Sequence, residues 1–420
     1  MTDGMSRLLV VATLVAALLV PSVAEAAKPK RRGGKIERAW PADKSKPRPS
    51  KPLVRWLAQQ VGPVQKTSRK KAKKASAAQA GSAQKLLLVR SFDIPTSDPA
   101  YGRLENVSFT YDSALATFAF LSAGVKTQAE QLLDQLKALQ RTDGSIEYSF
   151  NVNTGTSASS IRAGAMAWVG YAALAYREVY NSTRYDTLIA GVARYLLALR
   201  DNTGLVKGGP DVSWVSTQHN LLTAGFLRDL AANLGSKGTL GSGLTYTDVN
   251  NAANSIGNAI LANLIVQEGA LAYFRQGIGD QKIPADVQAL GAMYLDARGD
   301  GRARQVAEYL RQRFYVAPRG SSAGTLSGFR PYFGTGTPDL VWSEGTIEAA
   351  EAFDRVNIDQ TAATVALTSL LGTIKGVTGP AGASADYADT NWGEYHTWPT
   401  SAAGSWLLIR ASKKALLFAH

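Results

Sequence analysis

The 420-residue chain has no cysteine and only three histidines. Without cysteine there is no disulfide framework, no thiol nucleophile and no site for an N-terminal lipid, so an exported form must rely on its core. No H-x-x-x-H or H-E-x-x-H spacing occurs, which leaves no ordinary zinc ligand set. The glycine-rich stretch 320–336 lacks the Lys-Ser or Lys-Thr step into a helix that a phosphate cradle requires. Beyond the N-terminal leader no apolar run approaches about 18 residues, so no membrane span is expected there. Neither a metal nor a cofactor is expected.

What is present begins with a leader. Residues 5–26 read one Arg, an apolar run, and then Ala24-Glu25-Ala26. That order predicts a signal peptide over 1–26; the run is short for an anchor and is broken by Pro21. Residues 27–85 form a basic Lys/Pro/Ala-rich arm expected to be disordered, with one helical segment at 53–61. Residues 27–90 carry 19 Lys and Arg against 2 acids, and the whole chain is at +13, which leaves residues 91–420 at about −3. The basicity therefore belongs to the arm. It suits a solvated tether or contact with an anionic envelope polymer. No basic, aromatic-interleaved surface of the kind that binds nucleic acid is apparent in the body. These features predict an exported protein, periplasmic or extracellular.

From residue 86 onward one plan repeats. A polar, aromatic-rich loop leads into a helix apolar on nearly every side, and an amphipathic helix follows. The first pair is Ser113–Gly124 and Thr127–Gln140, the latter with Leu132, Leu133, Leu136 and Leu139 on one stripe. Inner helices are expected to begin near residues 112, 161, 218, 286, 344 and 400, a period of about 50–68 residues that marks a repeat architecture. Only the last lacks an amphipathic partner downstream. Either the 53–61 segment or another N-terminal piece fills that place, or the ring stays notched.

Three motifs, Gln140-Arg-Thr-Asp-Gly-Ser145, Trp342-Ser-Glu-Gly-Thr346 and Trp398-Pro-Thr-Ser-Ala-Ala-Gly-Ser-Trp406, together with this six-pair plan, resemble secreted bacterial members of the six-hairpin glycosidase superfamily. The resemblance covers about 330 residues. It implies an all-α (α/α)6 toroid over 86–420, with functional groups on the loops leading into the inner helices. Such a fold hosts hydrolases, lyases and epimerases, so the residues themselves must argue the reaction.

Hydrolysis of a glycosidic bond needs one protonated carboxyl and one carboxylate. The lead-in loops offer Asp112, Asp211, Asp286, Asp339, Glu344, Asp389 and Glu394. Glu344 is the candidate acid, because Trp342 beside it supplies apolar contact and the helix start is close, with Ser343 or Thr346 as possible caps. Asp112 is the candidate base, with Glu394 in reserve; each could equally be a local helix or loop acid. Tyr111, Trp214, Tyr332 and Trp342 offer flat faces for sugar rings, as do Trp392, Tyr395 and Trp398. Trp168 and Trp406 read as core.

A polysaccharide lyase is the rival. It would neutralise a uronate with Asn220, His219 or Arg162 and remove a proton with Tyr395 or a histidine, His396 being the other one in a lead-in loop. Arg162 could instead pair with a loop acid, and His219 could merely orient a neighbour. A third reading is a non-catalytic toroid that binds envelope glycan. In all three the expected partner is a polysaccharide or oligosaccharide, with Asp286 among the binding residues.

Overall fold

The computed structural model describes residues 51–63, 85–241, 243–321, 324–374, 378–412 and 417–419. The expected signal peptide and most of the basic arm lie outside the described residues. Thirteen helices are described. They are α1 (Lys51–Gln59), α2 (Tyr101–Leu104), α3 (Thr110–Ser122), α4 (Lys126–Leu139), α5 (Ala163–Tyr180), α6 (Asp186–Ala198) and α7 (Thr217–Leu234). Then follow α8 (Tyr246–Asn263), α9 (Ala285–Ala297), α10 (Arg302–Phe314), α11 (Ser343–Val356), α12 (Thr361–Leu371) and α13 (Ser401–Ser412).

The odd-numbered helices from α3 to α13 pack each against the next, and α13 returns to α3, so the inner ring closes. Helices α4, α6, α8, α10 and α12 back them from outside, each on the inner helix of its own hairpin. The all-α (α/α)6 toroid expected from the sequence is the observed fold. The physical cause is burial. Helix α3 is buried continuously from Asp112 to Leu121, whereas α4 buries only Ala129, Leu132, Leu133 and Leu136. Small residues bring the inner helices close: a Cβ at Gly170 would stand 2.6 Å from the Phe226 ring. The inner helices begin at 110, 163, 217, 285, 343 and 401, within two residues of the expected positions.

Helix α1 backs α13 and occupies the sixth outer place. Trp56 anchors it. Its ring is 1% exposed, lies against Gly379 and Gly404, and donates from Nε1 to Asp93 at 2.9 Å. Residues 85–92 run extended without joining a sheet; Val89 and Phe92 make isolated bridges to Val61 and Thr400. The Gln140–Ser145 motif is a turn. Gln140 donates to the carbonyls of Gly144 and Leu188 at 3.0 and 3.1 Å, and Gly144 adopts φ +92° against the backbone of Gly191.

Towards the C-terminal ends of the inner helices the ring is plugged. Phe418 packs on Tyr171 and Tyr294, the Arg355 guanidinium donates to the carbonyls of Leu417 and Phe418 at 2.9 Å, and Asp229 accepts from the Ala419 amide. At the other end, short antiparallel pairs tie the lead-in loops together. Val107–Phe109 joins Ser149–Asn151, and Ile283–Pro284 joins Tyr332–Phe333. That end holds the cleft.

Candidate active site

Three inner helices meet around Glu344, α3 and α11 with their first turns and α13 with its second. The Tyr111 hydroxyl of α3 donates to the Glu344 carboxylate of α11, and Trp406 of α13 donates from Nε1 to the same hydroxyl at 3.1 Å. The start of α11 is capped by neither side chain expected to do so. Trp342 is the N-cap residue without a side-chain bond, Thr346 turns to Phe329 N and Trp342 O, and Ser343 Oγ has no partner among the described residues.

Burial pushes the Glu344 carboxyl up to about 8, with the charges of Asp112 and Asp286 adding and the Tyr111 bond opposing. Glu348 stands one turn further along α11, is 2% exposed, and lies beside Trp406. Burial first, and then the charge of Glu344, raise it well above its ordinary value. Asp286 opens α9 and accepts from Gln218 Nε2 at 2.7 Å. Its burial raises it to about 6, against hydrogen bonds from the backbone. Asp112 is buried, bonded by the Ser91 hydroxyl, and pushed up to about 7 by desolvation.

Two hollows flank a ridge made of Trp214, Gln218 and His219. The first, about 470 Å³, holds Asp286, Asp280 and Tyr332. The second, about 430 Å³, holds Tyr111, Tyr148, Arg162 and Trp168. His219 packs beside Trp214, ring centroids 5.4 Å apart, and against Gly164. Burial, helped by the Arg162 charge, lowers it to about 4, which keeps it neutral; its buried Nδ1 has no hydrogen-bond partner among the described residues.

The other expected site residues divide. Arg162 pairs with Asp211 at 2.9 Å while lining the second hollow. Trp342 packs edge-on to Tyr395, and Trp392 lies against Tyr332 with Lys282 over its face. Burial first, then the neighbouring Tyr332 and carboxylates, raise the Tyr395 hydroxyl well above its ordinary value, which is unfavourable for a base.

Four residues have other roles. Asn220 is fully buried and spends its amide on Val206 N and O and on Ser216 O, holding a loop to α7 rather than meeting substrate. Glu394 lies on an exposed hairpin, bonded to His396 Nε2 at 2.7 Å and paired with Arg103 at 3.5 Å, which makes it a surface acid. His396 in turn stacks flat on Trp398 at 3.6 Å. Trp398, 4% exposed and bonded to Asp98, has no face left for a sugar. Of the remaining loop acids, Asp339 pairs with Arg319 and Arg330, and Asp389 caps its own turn.

Residues that the sequence reading passed over join the site. Glu348 is one; the i, i+4 spacing from Glu344 along one helix face was its signal. Gln218 and Tyr148 are others, and Trp168 and Trp406, expected in the core, reach the site as well. The two tryptophans are core by burial, yet Trp168 lines the second hollow and the Trp406 indole N–H orients Tyr111.

No protein-family model and no curated protein matches the chain. Solved structures do. A family 76 glycoside hydrolase (mannosidase) from Bacteroides thetaiotaomicron aligns at TM-score 0.56 and 11% identity, over 87% of this chain and 96% of that one. An alpha-amylase from Clostridium perfringens aligns at 0.51 and 12%, over 74% and 87%. The chain shares the (α/α)6 toroid fold of these proteins. A D-mannose isomerase also aligns, at 0.52 and 12%, over 77% and 91%, so a likeness at this level carries the architecture and not the reaction.

Proposed function

We propose that the protein is an exported glycoside hydrolase acting on a polysaccharide, with Glu344 as general acid and Asp286 as the ionised partner. The observation that carries this reading is the separation of their proton affinities at one end of the ring. Glu344, raised to about 8, keeps its proton at neutral pH, while Asp286, at about 6, has largely lost its own. Two carboxyls pushed apart in this way are suited to opposite roles in one hydrolysis. Asp286 replaces Asp112 in the base role because it lines the open hollow, whereas Asp112 is closed in beneath Ser91.

The chemistry follows from those states. The Glu344 proton passes to the glycosidic oxygen as the bond to the anomeric carbon breaks. The Asp286 carboxylate then either takes a proton from an attacking water or adds to the anomeric carbon itself, depending on the separation of the two groups. Tyr111, held by Trp406, donates to the Glu344 carboxylate that remains. Flat faces at Trp214, Tyr332 and Tyr148 suit sugar rings. Export rests on the leader sequence, and the basic arm would tether the enzyme to an anionic envelope polymer.

The test is product analysis on a panel of neutral and uronate-containing glycans, reading new reducing ends together with absorbance near 235 nm. New reducing ends without absorbance, lost in Glu344→Gln and in Asp286→Asn, are expected. Absorbance from an unsaturated uronate would make the enzyme a lyase instead. Binding with no cleavage of any glycan would leave a non-catalytic toroid.

A further inference from the structure

The two hollows beside the ridge differ in charge. Among the described residues the first is lined by Asp280 and Asp286 and by no Lys or Arg. Among the described residues of the second, the one charged lining residue is Arg162. Lys282 is not among the described lining residues of the first; its ammonium donates to the Asn391 carbonyl and lies over Trp392. The polarity is built into the chain, because the N-cap of α5 supplies the cation and the start of α9 supplies an acid.

Arg162 is set up as a receptor. One nitrogen, Nη1, bonds Asp211 Oδ1 at 2.9 Å and the Ile161 carbonyl at 2.8 Å. Its Nε and Nη2 make no hydrogen bond among the described residues. The guanidinium carbon lies 5.9 Å from the Trp214 ring, and the side chain is a quarter exposed. Asp211 already shows this guanidinium holding a carboxylate through one nitrogen. The unused edge has the fork geometry that matches a second carboxylate with two parallel bonds. Around it, Tyr148, Tyr111 and Trp168 supply flat faces, and the volume of about 430 Å³ suits a sugar ring.

We infer that this hollow is a subsite for one sugar ring bearing a carboxylate, received by the free edge of Arg162, while the Asp280–Asp286 hollow across the ridge takes an uncharged ring. The inference rests on the hydrolase reading and narrows it to glycans in which an acidic unit adjoins a neutral one. Of the acids nearby, Asp211 engages Arg162 through Nη1 alone, while desolvation holds Asp112 near 7 and Glu344 near 8, so that both retain much of their protonation at neutral pH.

The experiment uses single sugars, so that linkage plays no part. Glucuronate, galacturonate and mannuronate are titrated at millimolar concentration against the full chain by NMR, beside glucose, galactose and mannose. At least one uronate is expected to bind about tenfold more tightly than its neutral counterpart. Arg162→Gln abolishes that preference. Asp211→Asn, at a half-exposed side chain, strengthens it several-fold by removing the carboxylate that competes for the guanidinium. Equal affinity for uronate and neutral sugar, absence of binding by all six, or a preference untouched by both substitutions overturns the subsite. Charge-selective binding with no hydrolysis of any glycan would sink the hydrolase reading and leave the subsite standing. Cleavage of neutral glycans indifferent to Arg162 would do the reverse.

Discussion

The Tyr111 hydroxyl donates its hydrogen bond to the Glu344 carboxylate, from the first turn of α3 to the first turn of α11. That bond favours the ionised form of Glu344 and opposes the burial that raises its pKa. Activity should therefore follow a bell-shaped pH profile in kcat/KM, with an acid limb near 6 from Asp286 and an alkaline limb near 8 from Glu344. In Tyr111→Phe the alkaline limb should move to higher pH and the rate should fall by on the order of tenfold, as expected for one charge-assisted bond. A limb that stays in place would separate Tyr111 from the acid.

Glu344 also leaves a mark on stability. Its folded value of about 8 lies above the 4.5 of a free glutamate, so between those pH values the unfolded chain releases a proton that the folded chain keeps. Stability should fall as pH rises through that window. Glu344→Gln removes this slope, and its melting temperature should equal or exceed that of the parent at pH 8, while activity drops by about 10²- to 10⁴-fold. Thermal melts at pH 5 and pH 8 read the difference without any substrate.

His219 predicts the opposite slope. Its folded value is near 4 against 6.5 when unfolded, so as pH falls through that interval the unfolded chain takes up the proton first. Stability is lost on acidification, by no more than about 3 kcal/mol from this group. His219→Gln should be less sensitive between pH 6.5 and 4 in denaturant titrations. An unchanged acid slope would mean that His219 is solvated.

How much of this was readable depends on where each residue's partners lie. The inner helices were legible because Ala114–Leu121 has no polar face, and a helix of that kind must be enclosed on every side. Glu344 was legible because it follows Trp342 at the mouth of such a helix. Asp286 was legible as a binding residue but not as the partner of Glu344, since that distinction comes from the open hollow and from Gln218, 68 residues away. Asn220 looked like a substrate ligand because its partner, the Val206 backbone, comes from a loop that no local pattern ties to it. Glu394 and Trp398 misled for a related reason: aromatic neighbours in sequence suggested a cleft, but the hairpin and the Trp398–His396 stack turn those side chains on one another.

The last expectation concerns the closure of the ring. Helix α1 stands in for a sixth outer helix, although it precedes the first hairpin in the chain, and Trp56 is the side chain that seats it on α13. Truncation at this position opens a cavity beside Gly379 and Gly404 and leaves Asp93 without its indole donor. Trp56→Ala should therefore cost about 3–5 kcal/mol. Gly404→Val should also destabilise, because a Cβ there would meet the Trp56 ring at 2.5 Å. If α1 merely rests on the surface, both variants will melt with the parent. If it completes the toroid, hydrogen exchange should show α13 losing protection in both variants before the α5 and α7 helices do.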